Sequence, residues 1–335
     1  MIRFRVAMAV WTILALLAVV SSFGESFRWV TLSTTRTRGL ALGGACMALE
    51  DDLPALNYNP AAYAWMSPMR RSPWSIFFNA MGPVAFFRNP DLAKKGDVWL
   101  GWLVKGLGVG FGRVQAGLAF GEQSIETVAA NPPEDFFDGS SYRLVRTTLF
   151  GISLALASHV SLGIGGEVLM REGESMRNWR VGYRYGLLIR MKYRMSVGLC
   201  FIDQPKGFDK ERNALDRLAD ETLNVGIAFH PWPWVNLSVD VRNVSDESKG
   251  MAREPHAGIE FIPWKHLSLR GGVYQNRETA SNVFSFGVGI LDWNRLLVSD
   301  RQFIHPTFAV QAAAVFEEDN SGIRQWVLLS CIIRY

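Results

Sequence analysis

The sequence has few of the residues that usually carry chemistry. Cysteine is scarce: Cys46, Cys200 and Cys331 are odd in number and far apart, so neither a disulfide framework nor a metal pattern follows. Histidine is equally sparse. His159, His230 and His266 fall at turns between alternating segments, His256 and His305 stand alone, and no pair has metal-ligand spacing. No metal and no cofactor is therefore expected. There is no Gly-x-Ser-x-Gly, nor any other legible set of nucleophile, base and orienting group. Gly106 to Gly112 is not a phosphate loop, because no Lys-Ser/Thr closes it and no helix pattern follows. We expect no enzyme. Excess charge is also missing: 35 Lys and Arg against 31 Asp and Glu give +4, which does not indicate a nucleic-acid partner.

Long apolar runs are absent after the first residues. Residues 1–24 carry Arg3 and Arg5, an apolar core from Val6 to Val20, and small residues Ser22 and Gly24 around Phe23, which reads as a cleaved secretory signal. A membrane-anchor helix is the alternative, and it would need ~20 apolar residues. No Cys follows the core, so a lipid anchor is not expected. Taking Arg3 and Arg5 from the 35 basic residues leaves a net +2.

Amphipathic helices of useful length are lacking as well. What recurs is period-two alternation over ~10 residues, the signature of transmembrane β-strands. In Val235–Arg242 the residues Val235, Leu237, Val239 and Val241 share one face, and Asn236, Ser238, Asp240 and Arg242 the other. From Arg180 to Lys192 the polar face is strongly basic, with Arg180, Arg184 and Arg190 turned to the lumen. Elsewhere that face is mostly Gly and Ser, which leaves room for something inside. Cys331, on the apolar face of the last segment, is expected to meet lipid.

The connections alternate between tight and long. Tight ones lie near Ser158, Lys192, Pro233, Lys265 and Trp293; long ones include 88–97, 122–141, 171–178, 203–220, 243–254, 275–282 and 317–322. Trp232, Trp234, Trp264 and Trp293 all fall at the short-turn end, as an interfacial girdle requires. A soluble sandwich also alternates, but would not segregate its tryptophans this way. We expect an all-β transmembrane antiparallel barrel of about fourteen strands spanning 74–335, the second hairpin turning near residue 108 and the thirteenth strand starting near 298. Val327, Leu329, Cys331 and Ile333 alternate up to a terminal Tyr335. That ending resembles the signal by which the outer-membrane barrel-assembly machinery recognises its clients.

Ahead of the strands, in a segment 25–73, lies a Gly/Ala-rich island from Arg38 to Ala64. Arg38-Gly39, Gly43-Gly44-Ala45, Ala48, Asp51-Asp52 and Asn59-Pro60-Ala61 resemble the N-terminal motif of the FadL-like superfamily of outer-membrane barrels. Leu42 stands where that pattern usually has Met, and Ala62 where it has Gly. The superfamily includes long-chain fatty-acid transporters, aromatic-hydrocarbon channels and the PorV and PorQ proteins of a secretion system. The resemblance implies that the island folds into the lumen as a hatch. Gly39, Gly43 and Gly44 then permit close backbone packing, and Asn59-Pro60 turns the chain toward the first strand. Asp51 and Asp52 either pair with Arg184 or Arg190 or form a solvated acidic turn.

The resemblance further implies a monomer in the bacterial outer membrane, with lipid as its surroundings. Its expected task is passage of a hydrophobic small molecule through a gap in the wall, with Gly106 to Gly112 and the region of Pro306 as candidate gap sites. A secretion-system component binding a protein cargo, and a structural barrel without transport, are the alternatives.

Overall fold

A computed structural model describes residues 36–51, 53–65, 74–78, 104–127, 142–172, 177–203, 222–244, 253–264, 267–276, 281–290, 307–319 and 322–334. The expected signal at 1–24, Asp52, Trp293, Pro306 and Tyr335 lie outside the described residues.

Fourteen strands form one closed antiparallel barrel. They are β1 (Trp74–Phe78), β2 (Val104–Phe111), β3 (Val114–Thr127), β4 (Tyr142–Ala157), β5 (Val160–Glu172), β6 (Arg177–Met191), β7 (Met195–Asp203), β8 (Thr222–Trp232), β9 (Val235–Arg242), β10 (Glu254–Trp264), β11 (Leu267–Asn276), β12 (Ser281–Ile290), β13 (Thr307–Asp319) and β14 (Gly322–Arg334). Each pairs with its sequence neighbours, and β1 closes the ring on β14 from Ser75↔Arg334 to Phe78↔Cys331.

The side-chain alternation accounts for the inside and the outside. In β9, Asn236, Ser238, Asp240 and Arg242 are buried while Leu237 and Val239 are exposed. In β12, Ser281, Val283, Ser285 and Gly287 point in, and Phe284 and Phe286 point out. Ile152, Ile164, Ile259 and Val273 continue the exposed apolar surface around the wall. Such a surface on a closed barrel is suited to hydrocarbon, because closure leaves no free sheet edge and the strands pair their N–H and C=O groups with one another. A strand needs ~9–11 residues to cross a bilayer. With 13 to 16 residues, β4, β5, β6, β13 and β14 extend beyond it.

Three expectations are corrected. The second hairpin turns at Gly112-Arg113, four residues later than expected, with Gly112 at φ +57. The reason is that Gly106 gives clearance to the lumen, where a Cβ would lie 2.9 Å from Leu53, and only Gly112 serves the turn. The β2–β3 ladder is unbroken from Gly106↔Ala119 to Phe111↔Val114, so the glycine run is no gap in that pairing. Register shifts do occur in the adjoining ladders, between Phe77 and Phe78 opposite Gly106 and Val104 in β1–β2, and between Phe120 and Gln123 in β3–β4.

Secondly, the contrast in connection length is weaker than expected. Strand extension leaves only 173–176, 277–280 and 320–321 between their strands at the long-loop end. Thirdly, Cys331 is buried at 8% exposure. It sits at the closure seam, between β1 and β13, where a short side chain presents little surface.

Candidate functional site

The lumen holds the chain's own N-terminal segment. It contains a short helix α1 (Thr37–Ala41), a second single turn α2 (Ala55–Tyr58) and a 3-10 turn Pro60–Trp65. Helices of four or five residues are unstable alone, so the packing around them holds their shape. Leu40 and Ala41 pack with Tyr274, Val283, Ala313, Val315 and Leu328 on one side of the barrel. Leu42, Met47, Leu49, Leu53, Leu56 and Tyr63 pack with Leu188, Ile202 and Ala228 on the other. Each such side chain contributes about 1.5–3 kcal/mol on burial. Ion pairs in the same place lose most of their Coulombic gain to desolvation. Apolar burial therefore supplies most of the attraction, and the polar contacts fix where each residue sits.

The seat is cut by glycine. A Cβ on Gly198 would lie 1.9 Å from the Met47 carbonyl oxygen, on Gly163 2.2 Å from the Ala61 nitrogen, on Gly272 2.0 Å from the Gly43 nitrogen, and on Gly186 2.1 Å from Asn59 Oδ1. The hatch backbone thus touches the wall backbone. Wall side chains then satisfy hatch polar groups: Ser153 and Ser161 donate to the Ala61 carbonyl, and Ser196 donates to that of Ala48. Asp240 accepts from the Met47 N–H at 2.9 Å.

The expected motif residues converge on this seat. Gly39 faces the Tyr58 ring, 2.5 Å from a hypothetical Cβ. Gly43 and Gly44 have φ +62 and +75, the left-handed region that glycine enters without a steric penalty. The Gly43 N–H donates to Ser285 Oγ at 3.0 Å, its carbonyl accepts from His256 Nδ1, and the Gly44 carbonyl accepts from Arg242 at 2.6 Å. Asn59 is fully buried: its Nδ2 donates to the carbonyls of Met47 (2.8 Å) and Leu187 (3.1 Å), and its Oδ1 accepts from the Ala61 N–H. Pro60 lies against Gly163 and Gly165.

The charges are paired differently from the expectation. Asp51 pairs with Arg38 of the hatch itself, at 2.9 Å. Arg190 binds Glu50, with Nε to Oε1 at 2.9 Å. Arg184 binds Glu167 across β5–β6 and donates to the carbonyls of Leu56 and Asn57, capping α2. Arg180 lies in β6 opposite Leu169, with its side chain outside the described ones.

Burial pushes Glu50 up to about 7, although Arg190 and Arg38 pull it down. A second charge centre, missed in the sequence, joins Arg38 to Glu260 and Glu260 to Arg270 at 2.7 Å. The signal for it was present: an acid in the inward register of a strand, flanked by Gly258 and Ile262 on the same face. Among the described residues, no group of three or more His, Cys, Asp or Glu stands together to hold a metal.

These features define a class of protein, a membrane-type β-barrel stoppered by its own N-terminal segment. No protein-family model matches the chain, and no curated protein matches it by sequence. Among solved structures it is similar to the CymD monoaromatic hydrocarbon channel, at 10% identity and TM-score 0.55, over 92% of this chain and 98% of that one. It is likewise similar to the Pseudomonas putida toluene transporter TodX, at 12% identity and TM-score 0.52, over 93% and 98%. The likeness spans nearly all of both chains and establishes the fold.

Proposed function

We propose that the protein is a monomeric outer-membrane channel of the FadL-like type, through which hydrophobic small molecules such as long-chain fatty acids or aromatic hydrocarbons pass. The first 24 residues serve export, 25–73 form the hatch, and 74–335 form the barrel, with Tyr335 ending the segment read by the assembly machinery. The observation that carries this reading is the hatch: a non-covalently seated plug, bonded to the wall at Asn59, in a barrel shaped like two hydrocarbon channels. Passage then requires Met47 to Tyr63 to leave the glycine seat. The polar wall beneath it allows this, since its Ser and Asp groups can rebind to water.

The test is the flux of toluene and of palmitate into vesicles bearing the purified protein. Faster entry than in protein-free vesicles, altered by deleting 36–65, supports the reading. Entry equal to the protein-free rate, unchanged by the deletion, overturns it. The buried packing of the hatch around Asn59 favours one second reading, a PorV- or PorQ-like secretion component that binds a protein at its rim. Co-purification with a secreted cargo, together with absent flux, would select it.

A further inference from the structure

The end of the barrel with the short turns has a pattern that the hatch does not use. Four successive described connections, 112–113, 158–159, 192–194 and 233–234, place Arg113, His159, Lys192 and Arg194 in solvent. No Asp or Glu occurs within 110–116, 155–162, 189–197 or 229–237. These turns therefore carry cations and no acid of their own; Glu50 of the hatch is engaged by Arg190, and Arg113, Lys192 and Arg194 lie outside that pair.

Two of the cations are held in the same way. Arg113 Nη1 donates to the Leu156 carbonyl at 3.4 Å, and Arg194 Nη1 donates to the Pro231 carbonyl at 3.2 Å. Each guanidinium thus leans on the end of the following even-numbered strand. One N–H is used, and the remaining donors of the five stay directed to the surroundings. Arg194 also adopts φ +61, a conformation rare outside glycine, in order to turn there.

Beside Arg194 stands an aromatic tier. Trp232 and Trp234 stack with centroids 5.2 Å apart at 11°, and Trp234 meets Phe261 edge-on at 5.5 Å. All three are exposed on the outside of the wall, as is Trp264. Tryptophan in this position sits at the headgroup level of a bilayer. The adjacent cations are then at the depth of the lipid phosphates, where guanidinium is well matched to two phosphate oxygens.

We infer that the turns around Arg113, Lys192 and Arg194 bind the phosphates of anionic glycerophospholipids in the leaflet that meets the short-turn end. Lipid is favoured over an acidic protein because the cations share their rim with outward-facing tryptophans. The inference requires that the barrel sit in a bilayer and is independent of what passes through it.

The experiment reconstitutes the full chain in nanodiscs of equal phosphatidylcholine and phosphatidylglycerol, then counts retained lipids by native mass spectrometry. Each cation near an anionic surface contributes a factor of roughly five, so phosphatidylglycerol should be retained well above its share. The triple variant Arg113→Gln, Lys192→Gln, Arg194→Gln should lose that enrichment, while Arg253→Gln, an exposed charge at the opposite end, keeps it. Lysine at 113 and 194 should retain part of the enrichment, which a purely structural role of the carbonyl contacts does not explain. If the triple variant fails to fold, raising salt on the unaltered protein must erase the enrichment. Equal retention of both lipids, enrichment that survives the triple variant, or charge-dependent binding of soluble polyglutamate in place of lipid overturns the inference.

Discussion

Arg38 and Glu260 are 222 residues apart and meet inside the barrel through a two-pronged ion pair, Nε to Oε1 at 3.2 Å and Nη2 to Oε2 at 2.7 Å. Arg270 binds the same carboxylate from the neighbouring strand β11, and Arg38 reaches on to Asp51. One carboxylate therefore ties hatch to wall while balancing two buried cations.

Glu260→Gln removes the charge and keeps the shape. Breaking a buried pair on one side costs roughly 3–5 kcal/mol, because the remaining charges stay desolvated. The variant should unfold at a lower temperature in a heat-modifiability gel, and the hatch should become sensitive to protease first. An unchanged transition would show that the pair contributes nothing to seating.

Gly271 and Gly272 are adjacent in β11 and face opposite ways. A Cβ on Gly272 would fall 2.0 Å from the Gly43 nitrogen, whereas on Gly271 its nearest neighbour would be 3.7 Å away. Alanine at 271 should be nearly silent. Alanine at 272 should cost about 1–3 kcal/mol or more as overpacking against backbone and should raise protease access to Gly43. Equal effects at the two sites would refute the glycine seat.

The strands were legible because one rule, alternation, decides both register and orientation in a wall with lipid on one side. It placed Arg184 and Arg190 in the lumen. It did not say which acids meet them. The hatch lacks a repeating period, so its backbone path decides that Glu50 meets Arg190 of β6 and Asp51 meets Arg38. The turn at Gly112 was hidden for a related reason: glycine in β2 serves clearance from Leu53, and composition alone does not separate that use from turning.

Glu50 gives the hatch a pH dependence. Its ordinary value of 4.5 is raised to about 7 in the folded protein, chiefly by burial. The folded state therefore holds the proton more tightly than the unfolded one, so the associated stability is complete below 4.5 and is lost as pH rises through 7. Protection of the Met47–Tyr58 amides against hydrogen exchange, expressed relative to the intrinsic base-catalysed rate, should weaken between about pH 4.5 and 7. Glu50→Gln should flatten the profile. A profile as steep in the variant as in the unaltered protein would assign the effect to another group.

Asn59 ties the hatch to the wall by linking three backbone groups at once: the carbonyls of Met47 and Leu187 and the N–H of Ala61. Leucine has a similar size and none of these bonds, so Asn59→Leu removes three hydrogen bonds to backbone groups, and each buried group thereby left unsatisfied costs about 1–3 kcal/mol. Of the three, the Leu187 carbonyl belongs to the wall strand β6, and the other two groups belong to the hatch. The loss therefore falls on hatch folding as well as on seating, and the plug should open more often without weakening the barrel. In a planar bilayer the unaltered protein should conduct ions rarely and Asn59→Leu should show frequent openings, while both keep the same unfolding temperature for the strands. If the variant stays as closed as the parent, the apolar contacts of Leu53, Leu56 and Tyr63 hold the plug by themselves, and a solute must displace those contacts to pass.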